Sequence, residues 1–247
     1  MKSIILTLAF SLISFFILAQ DPAQIIQKAL DQQNGRTNQG EMEMTIVRPR
    51  YTRTMTMKSW SFGNEMFMIL ITGPARDKGQ VFLKRNNDMW NWIPNISRMI
   101  KIPPSMMGQN WMGSDFTNDD LVKLNSLVVD YTHKLLGDEM IEGMDCHIIE
   151  LRPKPDAAVV WGKIKLWVSK EEYLQLRGEY YDEDGSMVNT MEASQITQFG
   201  DRRLPAKMVM TPVNKKGQQT IMLNKSIQFD VDLSENFFSQ QNMKRVK

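Results

Sequence analysis

The sequence contains one cysteine and two histidines in 247 residues. A lone Cys146 excludes an intramolecular disulfide. So few soft ligands leave little from which a zinc or haem site is built. Cys146 and His147 are adjacent in a strand-like run, so their side chains point to opposite faces and do not make a nucleophile–base pair. HExxH, CxxC, GxSxG and phosphate-loop patterns are all missing. No metal, cofactor or enzymatic role is expected. Charge of one sign is also lacking. Thirty Lys and Arg face 28 Asp and Glu, a formal net charge of +2, of which Lys2 is part. Without a concentrated basic face, nucleic-acid binding is not expected.

Residues 1–20 read MKSIILTLAFSLISFFILAQ. A basic start, a short apolar core and a small residue before Asp21-Pro22 predict a secretory signal peptide. The alternative is a membrane anchor, but the run is short for a span and no basic cluster follows it. With no cysteine at the break, lipidation of a new N-terminus is not expected. The mature chain, 21–247, is expected to be one periplasmic domain held by its core.

Methionine is abundant, with twenty in the chain. It is flexible and polarisable and recurs on surfaces that accept variable apolar partners. It also serves as plain core filler.

Asp21-Pro22 predicts a helix start, and Ile25, Ile26, Ala29 and Leu30 then share one face up to Gly35. After Gly40 the period changes to two. Met42, Met44 and Ile46 alternate with Glu41, Glu43 and Thr45, and Met55 and Met57 alternate with threonines. Runs at 65–71, 80–84, 89–93 and 97–102 continue the pattern, with Gly63-Asn64 as a tight turn. SDFTNDDLVKLN (114–125) predicts a second helix whose acidic first turn, Asp119-Asp120, is explained by capping. Strands resume from 128 to 229. DEDG at 182–185 resembles a calcium loop only weakly and reads as a hairpin turn. A short helix capped by Ser234 closes the chain. The fold expected is mainly β (α+β). It is a single curved antiparallel sheet of about 11–13 strands forming an unclosed barrel, with about three helices over the concave face.

Function then rests on apolar surface. Residues 88–113 read DMWNWIPNISRMIKIPPSMMGQNWMG, too apolar for an ordinary loop and too interrupted for one strand or helix. Trp90 and Trp92 share one strand face. Met106, Met107, Trp111 and Met112 follow in a Pro/Gly-rich loop. That loop reads either as packed core or as a mobile gate over an apolar cavity. The cavity is expected beneath the helices at about 22–34 and 115–125. Its walls are expected to draw on Met55, Met57, Phe67, Ile69, Trp90 and Trp92. Parity alone leaves open which alternating set faces inward.

One stretch carries a resemblance. Trp90, Trp92, Pro94, Arg98, Ile100-Lys101-Ile102-Pro103 and Trp111, followed by Gly113 through Leu121 (GSDFTNDDL), resemble the LolA-like outer-membrane lipoprotein-sorting proteins, in their longer branch. The likeness runs over the whole mature chain, with 88–121 its specific part. It implies an unclosed β-barrel with acyl chains as ligand. It further implies a monomeric periplasmic carrier of acylated lipoprotein or lipid cargo, with an inner-membrane exporter and an outer-membrane acceptor as partners. In the short carriers of that family an arginine on an early strand latches the lid. Here Arg48, Arg50 and Arg53 fall near that place, and the sequence does not choose among them.

Energetics favour direct hand-over. Each buried CH₂ is worth about 0.8 kcal/mol. Two or three long chains would reach roughly 20–40 kcal/mol, at or beyond the affinity ceiling. Release into water would be too slow, so partner docking follows. Carriage of another lipid with an export pump, and a lipid-sensing envelope regulator, are the alternative readings.

Overall fold

A computed structural model describes residues 20–122 and 126–247. The signal segment expected at 1–20 lies outside the described residues apart from Gln20, as do residues 123–125 of the expected second helix.

Thirteen strands form one antiparallel sheet. The first meander comprises β1 (Thr37–Arg48), β2 (Tyr51–Phe62), β3 (Met66–Gly73), β4 (Val81–Arg85), β5 (Asp88–Ile93) and β6 (Arg98–Lys101). The second comprises β7 (Tyr131–Ile141), β8 (Met144–Pro153), β9 (Lys163–Ser169), β10 (Gln175–Tyr181), β11 (Met187–Phe199), β12 (Arg202–Pro212) and β13 (Gln219–Phe229). The two are joined through β1 and β13, so the spatial order is β6 to β1 and then β13 down to β7. The edge strands β6 and β7 do not pair, and the barrel stays open.

The topology has a direct consequence. The connection from β6 to β7 must travel from one edge of the sheet to the other. A flat sheet of thirteen strands would separate those edges by roughly 58 Å at the usual strand spacing. The sheet instead curls, and the connection crosses its concave face. Register shifts at Glu41/Met42, Thr56/Met57 and Leu135/Gly137 mark places where the ladder bends. Gly40 sits beside the first of these. A Cβ there would lie 2.4 Å from the Ser226 carbonyl oxygen, so only glycine permits this approach of β1 to β13.

The first helix, α1 (Pro22–Asn34), is capped by Asp21, whose side chain accepts from the Ala23 N–H, and ends at Gly35 with φ +62°. Its buried face, Ile25, Ile26, Ala29 and Leu30, packs against Tyr131, Ile149, Leu151, Ile164, Leu166 and Val168 of β7–β9. The concave face of β1–β5 is covered by the crossing connection instead. Within it the expected helix begins late. It is α2 (Asn118–Val122), followed by α3 (Ser126–Val129). Ser114 and Asp115 are committed to anchoring contacts, and Thr117 is the cap. Asp120 N donates to Thr117 Oγ1 (3.0 Å) and Thr117 N to Asp120 Oδ2 (2.7 Å), a reciprocal capping pair.

The chain end takes the other face. After a 3-10 turn at Glu235–Phe237, the short helix α4 (Gln240–Met243) is capped by Ser239, not by Ser234, whose side chain makes no capping bond. Phe238 and Met243 are buried on the convex side against Met66, Met68, Leu70, Val81 and Leu83.

Candidate functional site

A cavity of about 300 Å³ lies between the concave sheet face, α1 and the crossing connection. Its apolar half is rich in methionine. Met208, Met222, Met44 and Met55 are successive register partners across β12, β13, β1 and β2. Met42, Met191, Met208, Met210 and Met222 line the cavity, and Met44 and Met55 are buried in the same cluster. Much of the methionine noted in the sequence therefore converges on one concave surface.

The ten residues expected at the site divide into three groups. Phe67, Ile69 and Trp111 line the cavity. Met55, Met57 and Met107 are buried in the adjoining cluster, with Met106 and Met112 half-buried against it. Trp90 and Trp92 lie on the convex face, half-buried against the C-terminal segment. On β5 the inward set is Met89, Asn91 and Ile93, and Met89 joins the concave cluster. Parity had left this choice open, and the covering by residues 233–246 makes it.

The loop at 103–117 is closed and fastened. Trp111 is 1% exposed and packs edge-on against Phe82, ring centroids 5.3 Å apart. Its backbone N–H donates to the Phe116 carbonyl (2.8 Å), while Asn118 N and Asp119 N donate to Gln109 and Met107 carbonyls. Arg48 at the end of β1 donates to Asp115 Oδ2 (3.0 Å) and to the Gly113 carbonyl (2.8 Å). Thr220 Oγ1 also donates to Asp115 Oδ2 (2.6 Å) and accepts from the Asp115 N–H (2.9 Å). Arg53 donates to the Met112 carbonyl (3.3 Å) and pairs with Asp77 (2.6 Å). Arg50 is exposed. The structure thus places Arg48, helped by Arg53, on the loop.

The other half of the cavity wall is polar and aromatic. Asp119, Asp120, Ser126, Tyr131, Trp161 and Tyr180 all line it. Trp161 Nε1 donates to Asp120 Oδ1 (2.7 Å), and Val160 N donates to Asp119 Oδ2 (3.3 Å). Trp161 and Tyr180 rings are 5.3 Å apart. Asp120 and Tyr180 are half-buried on this wall. Burial, and then the neighbouring Asp119 charge, push the Asp120 carboxyl above the usual carboxylate range, against the hydrogen bonds from Trp161 and Thr117. Burial and the Asp120 charge likewise push the Tyr180 hydroxyl up. The sequence pattern predicts the two aspartates as capping residues. That holds for Asp120, but their place on the wall follows from the meeting of α2 with residues 160–161, which no local pattern shows.

The two histidines have structural partners. His133 Nε2 lies 2.6 Å from the Leu127 carbonyl oxygen, and His147 Nδ1 lies 2.9 Å from Asp138 Oδ1. Cys146 is buried, which raises its thiol pKa. Among the described residues no cluster of His, Cys, Asp and Glu is suited to hold a metal ion. No helix among them is long and apolar enough to cross a membrane.

Sheet, covering connection and cavity form an unclosed half-barrel, the fold expected from the resemblance read from residues 88–121. The particular family is the one whose model, described as "Uncharacterized protein", matches residues 63–245, and the chain belongs to it. Three solved structures are similar over nearly their whole length. One is a domain assigned to outer membrane lipoprotein sorting from Vibrio parahaemolyticus, at 24% identity and TM-score 0.80, covering 91% of this chain and 98% of that one. A DUF1329 family protein from Desulfovibrio piger is 26% identical with TM-score 0.81, covering 90% and 99%. A LolA superfamily protein from Nitrosomonas europaea is 23% identical with TM-score 0.77, covering 91% and 100%. No functionally curated protein matches the sequence.

Proposed function

We propose that this protein is a periplasmic carrier, not an enzyme, that holds an acyl chain in the concave cavity and moves lipoproteins or lipids from the inner to the outer membrane. The observation that carries the reading is the cavity itself. It is enclosed on its concave side by α1 and the crossing connection, and its apolar half is built from flexible methionines that adapt to a chain. At about 300 Å³ it stands at the low end for small-molecule sites. The closed form therefore suits one chain, and a multiply acylated cargo requires the fastened loop to move. A buried twelve-carbon chain contributes about 10 kcal/mol relative to water. That is tight enough to carry and weak enough to hand to an apolar acceptor. The likeness to lipoprotein-sorting domains supports the cargo class, and an inner-membrane exporter and an outer-membrane acceptor are the partners such a cycle needs.

Mass spectrometry of organic extracts tests this on protein purified from its native periplasm. Acyl-bearing molecules in stoichiometric amount are expected. Extracts that match a blank, together with no uptake of a neutral fluorescent apolar probe by lipid-stripped protein, would defeat the carrier reading.

A further inference from the structure

Four turns meet at one end of the sheet. Arg48 is the register partner of Tyr51, Val47 of Gln219, Leu70 of Val81 and Ile93 of Arg98. The β1–β2, β12–β13, β3–β4 and β5–β6 turns therefore lie at the same end. They also touch. A Cβ at Gly217 would lie 4.0 Å from Pro49 Cγ, and one at Gly79 would lie 3.2 Å from Pro94 Cγ. Arg53 on β2 pairs with Asp77 of the β3–β4 turn (2.6 Å). The four turns form one continuous rim.

The rim carries charge of one sign. Arg50, Arg76, Lys78, Arg98, Lys215 and Lys216 are all exposed on it. Among the described residues none of the six makes an ion pair. Across 48–54, 73–81, 93–98 and 212–219 the single acidic residue is Asp77, which Arg53 neutralises. Residues 1–19 and 122–125 contain no Asp or Glu, so no counter-ion comes from them. The β10–β11 turn at the same end, with Asp182, Glu183 and Asp184, bounds the basic surface. Turns at the opposite end are mostly acidic, with Glu142, Glu171, Glu172 and Asp201. Three exposed apolar side chains, Tyr51, Ile96 and Val213, stand among the cations, each at a different turn.

We infer that this rim docks on an anionic phospholipid bilayer, with the six cations at the lipid phosphates and Tyr51, Ile96 and Val213 entering the headgroup layer. Basic side chains are drawn to anionic lipid, and tyrosine suits the interface because one end is apolar and the other polar. The apolar groups are single points on separate turns. A headgroup layer takes such points one at a time, whereas a protein interface buries a contiguous apolar core. The rim also borders the fastened loop. Arg53 donates to the Met112 carbonyl, and Arg48 holds Asp115. Docking there brings the loop that closes the cavity against the membrane. The inference goes beyond the carrier reading and does not depend on what the cavity holds.

Sedimentation with vesicles tests it on protein purified from its native periplasm. The vesicles are phosphatidylcholine alone, or equal parts phosphatidylcholine and phosphatidylglycerol, each at low and at high salt. Binding is expected to the anionic vesicles at low salt, and to be at least about tenfold weaker with neutral vesicles or at high salt. Arg50→Glu/Lys216→Glu is expected to lower affinity for the anionic vesicles at least about tenfold. Arg36→Glu/Arg85→Glu changes the net charge equally at the other end and is expected to leave that affinity within about twofold. Equal sedimentation with both vesicle types, or equal losses in the two variants, overturns the inference. Absence of sedimentation at low salt overturns it too, and retention on immobilised polyglutamate would then point to an acidic protein surface instead. Circular dichroism checks that each variant is folded. Should the rim variant not fold, the wild-type contrast between vesicles and salts decides. Uptake of the fluorescent dye by the cavity is measured separately, so failure here leaves the carrier reading standing.

Discussion

Arg48 Nη1 lies 3.0 Å from Asp115 Oδ2, joining the end of the first strand to the centre of the loop that crosses the concave face. Asp115 is 4% exposed, so its charge depends on this partner and on Thr220. Removing one member of a buried pair strands the other and costs about 3–5 kcal/mol. Arg48→Ala is expected to destabilise the protein by about 3 kcal/mol and to speed amide exchange across residues 103–117. Arg50→Ala, at an exposed neighbour, should stay within about 0.5 kcal/mol. Equal loop protection in the two variants would show that Arg48 does not hold the loop.

Lys84 is buried on β4, and its Nζ donates to the Asn64 carbonyl. Burial lowers its pKa from 10.5 to about 8, with Glu65 acting in the opposite direction. Between those two values the unfolded chain binds more protons than the folded one, so this group's contribution to stability rises with pH there. Below about pH 8 the penalty is present in full, on the order of 3 kcal/mol. Lys84→Met removes it. The stability of the wild type minus that of Lys84→Met is therefore expected to increase from pH 8 toward 10.5 in urea titrations. Tyr131, Tyr180 and Tyr181, whose pKa values are raised, oppose this trend near pH 10 in both proteins and cancel in the difference. A flat difference would mean that Lys84 titrates normally.

The parts legible in the sequence were those set by local chemistry. Asp21 and Gly35 bound α1 because a cap and a left-handed terminus need only their neighbours. The alternation at 42–46 and 55–57 gave strands with a shared face, and Gly63, at φ +54°, turns β2 into β3. Parity says which residues share a face, not which face is inside. For Trp90 and Trp92 that is decided by Phe237, Phe238 and Met243, far along the chain. The methionine row needs β1 to pair with β13, a contact between the first and last strands of the chain. The contact of Arg48 with Asp115 spans 67 positions, and nothing local distinguishes Arg48 from Arg50.

The convex location of Trp90 and Trp92 yields a contrast between the two faces. Phe238 is fully buried there, edge-on to Phe62 at 6.4 Å. Phe238→Ala is expected to cost about 3–5 kcal/mol, with dye affinity per folded molecule unchanged. Trp92→Ala should also leave that affinity unchanged, whereas Phe67→Ala, on the cavity wall, should weaken it severalfold. If Trp92→Ala weakens dye binding as much as Phe67→Ala does, ligands are not confined to the concave cavity.

Trp111 decides how the closed loop works. At 1% exposure, edge-on against Phe82 and tied by its backbone N–H to Phe116, it is embedded as deeply as a core residue. A small flap swinging on Gly108 and Gly113 would not need such an anchor. Admission of a second chain therefore requires the whole unit from 103 to 117 to lift, with Trp111 leaving Phe82 and Arg48 releasing Asp115. Trp111→Ala is then expected to cost about 3–5 kcal/mol, as large core truncations do, and also to lower dye affinity per folded molecule, because the indole forms part of the wall. A loss of stability with unchanged affinity would make the loop structural and remove its role as a gate. A loss below about 1 kcal/mol would mean that the loop already stands open for much of the time in solution.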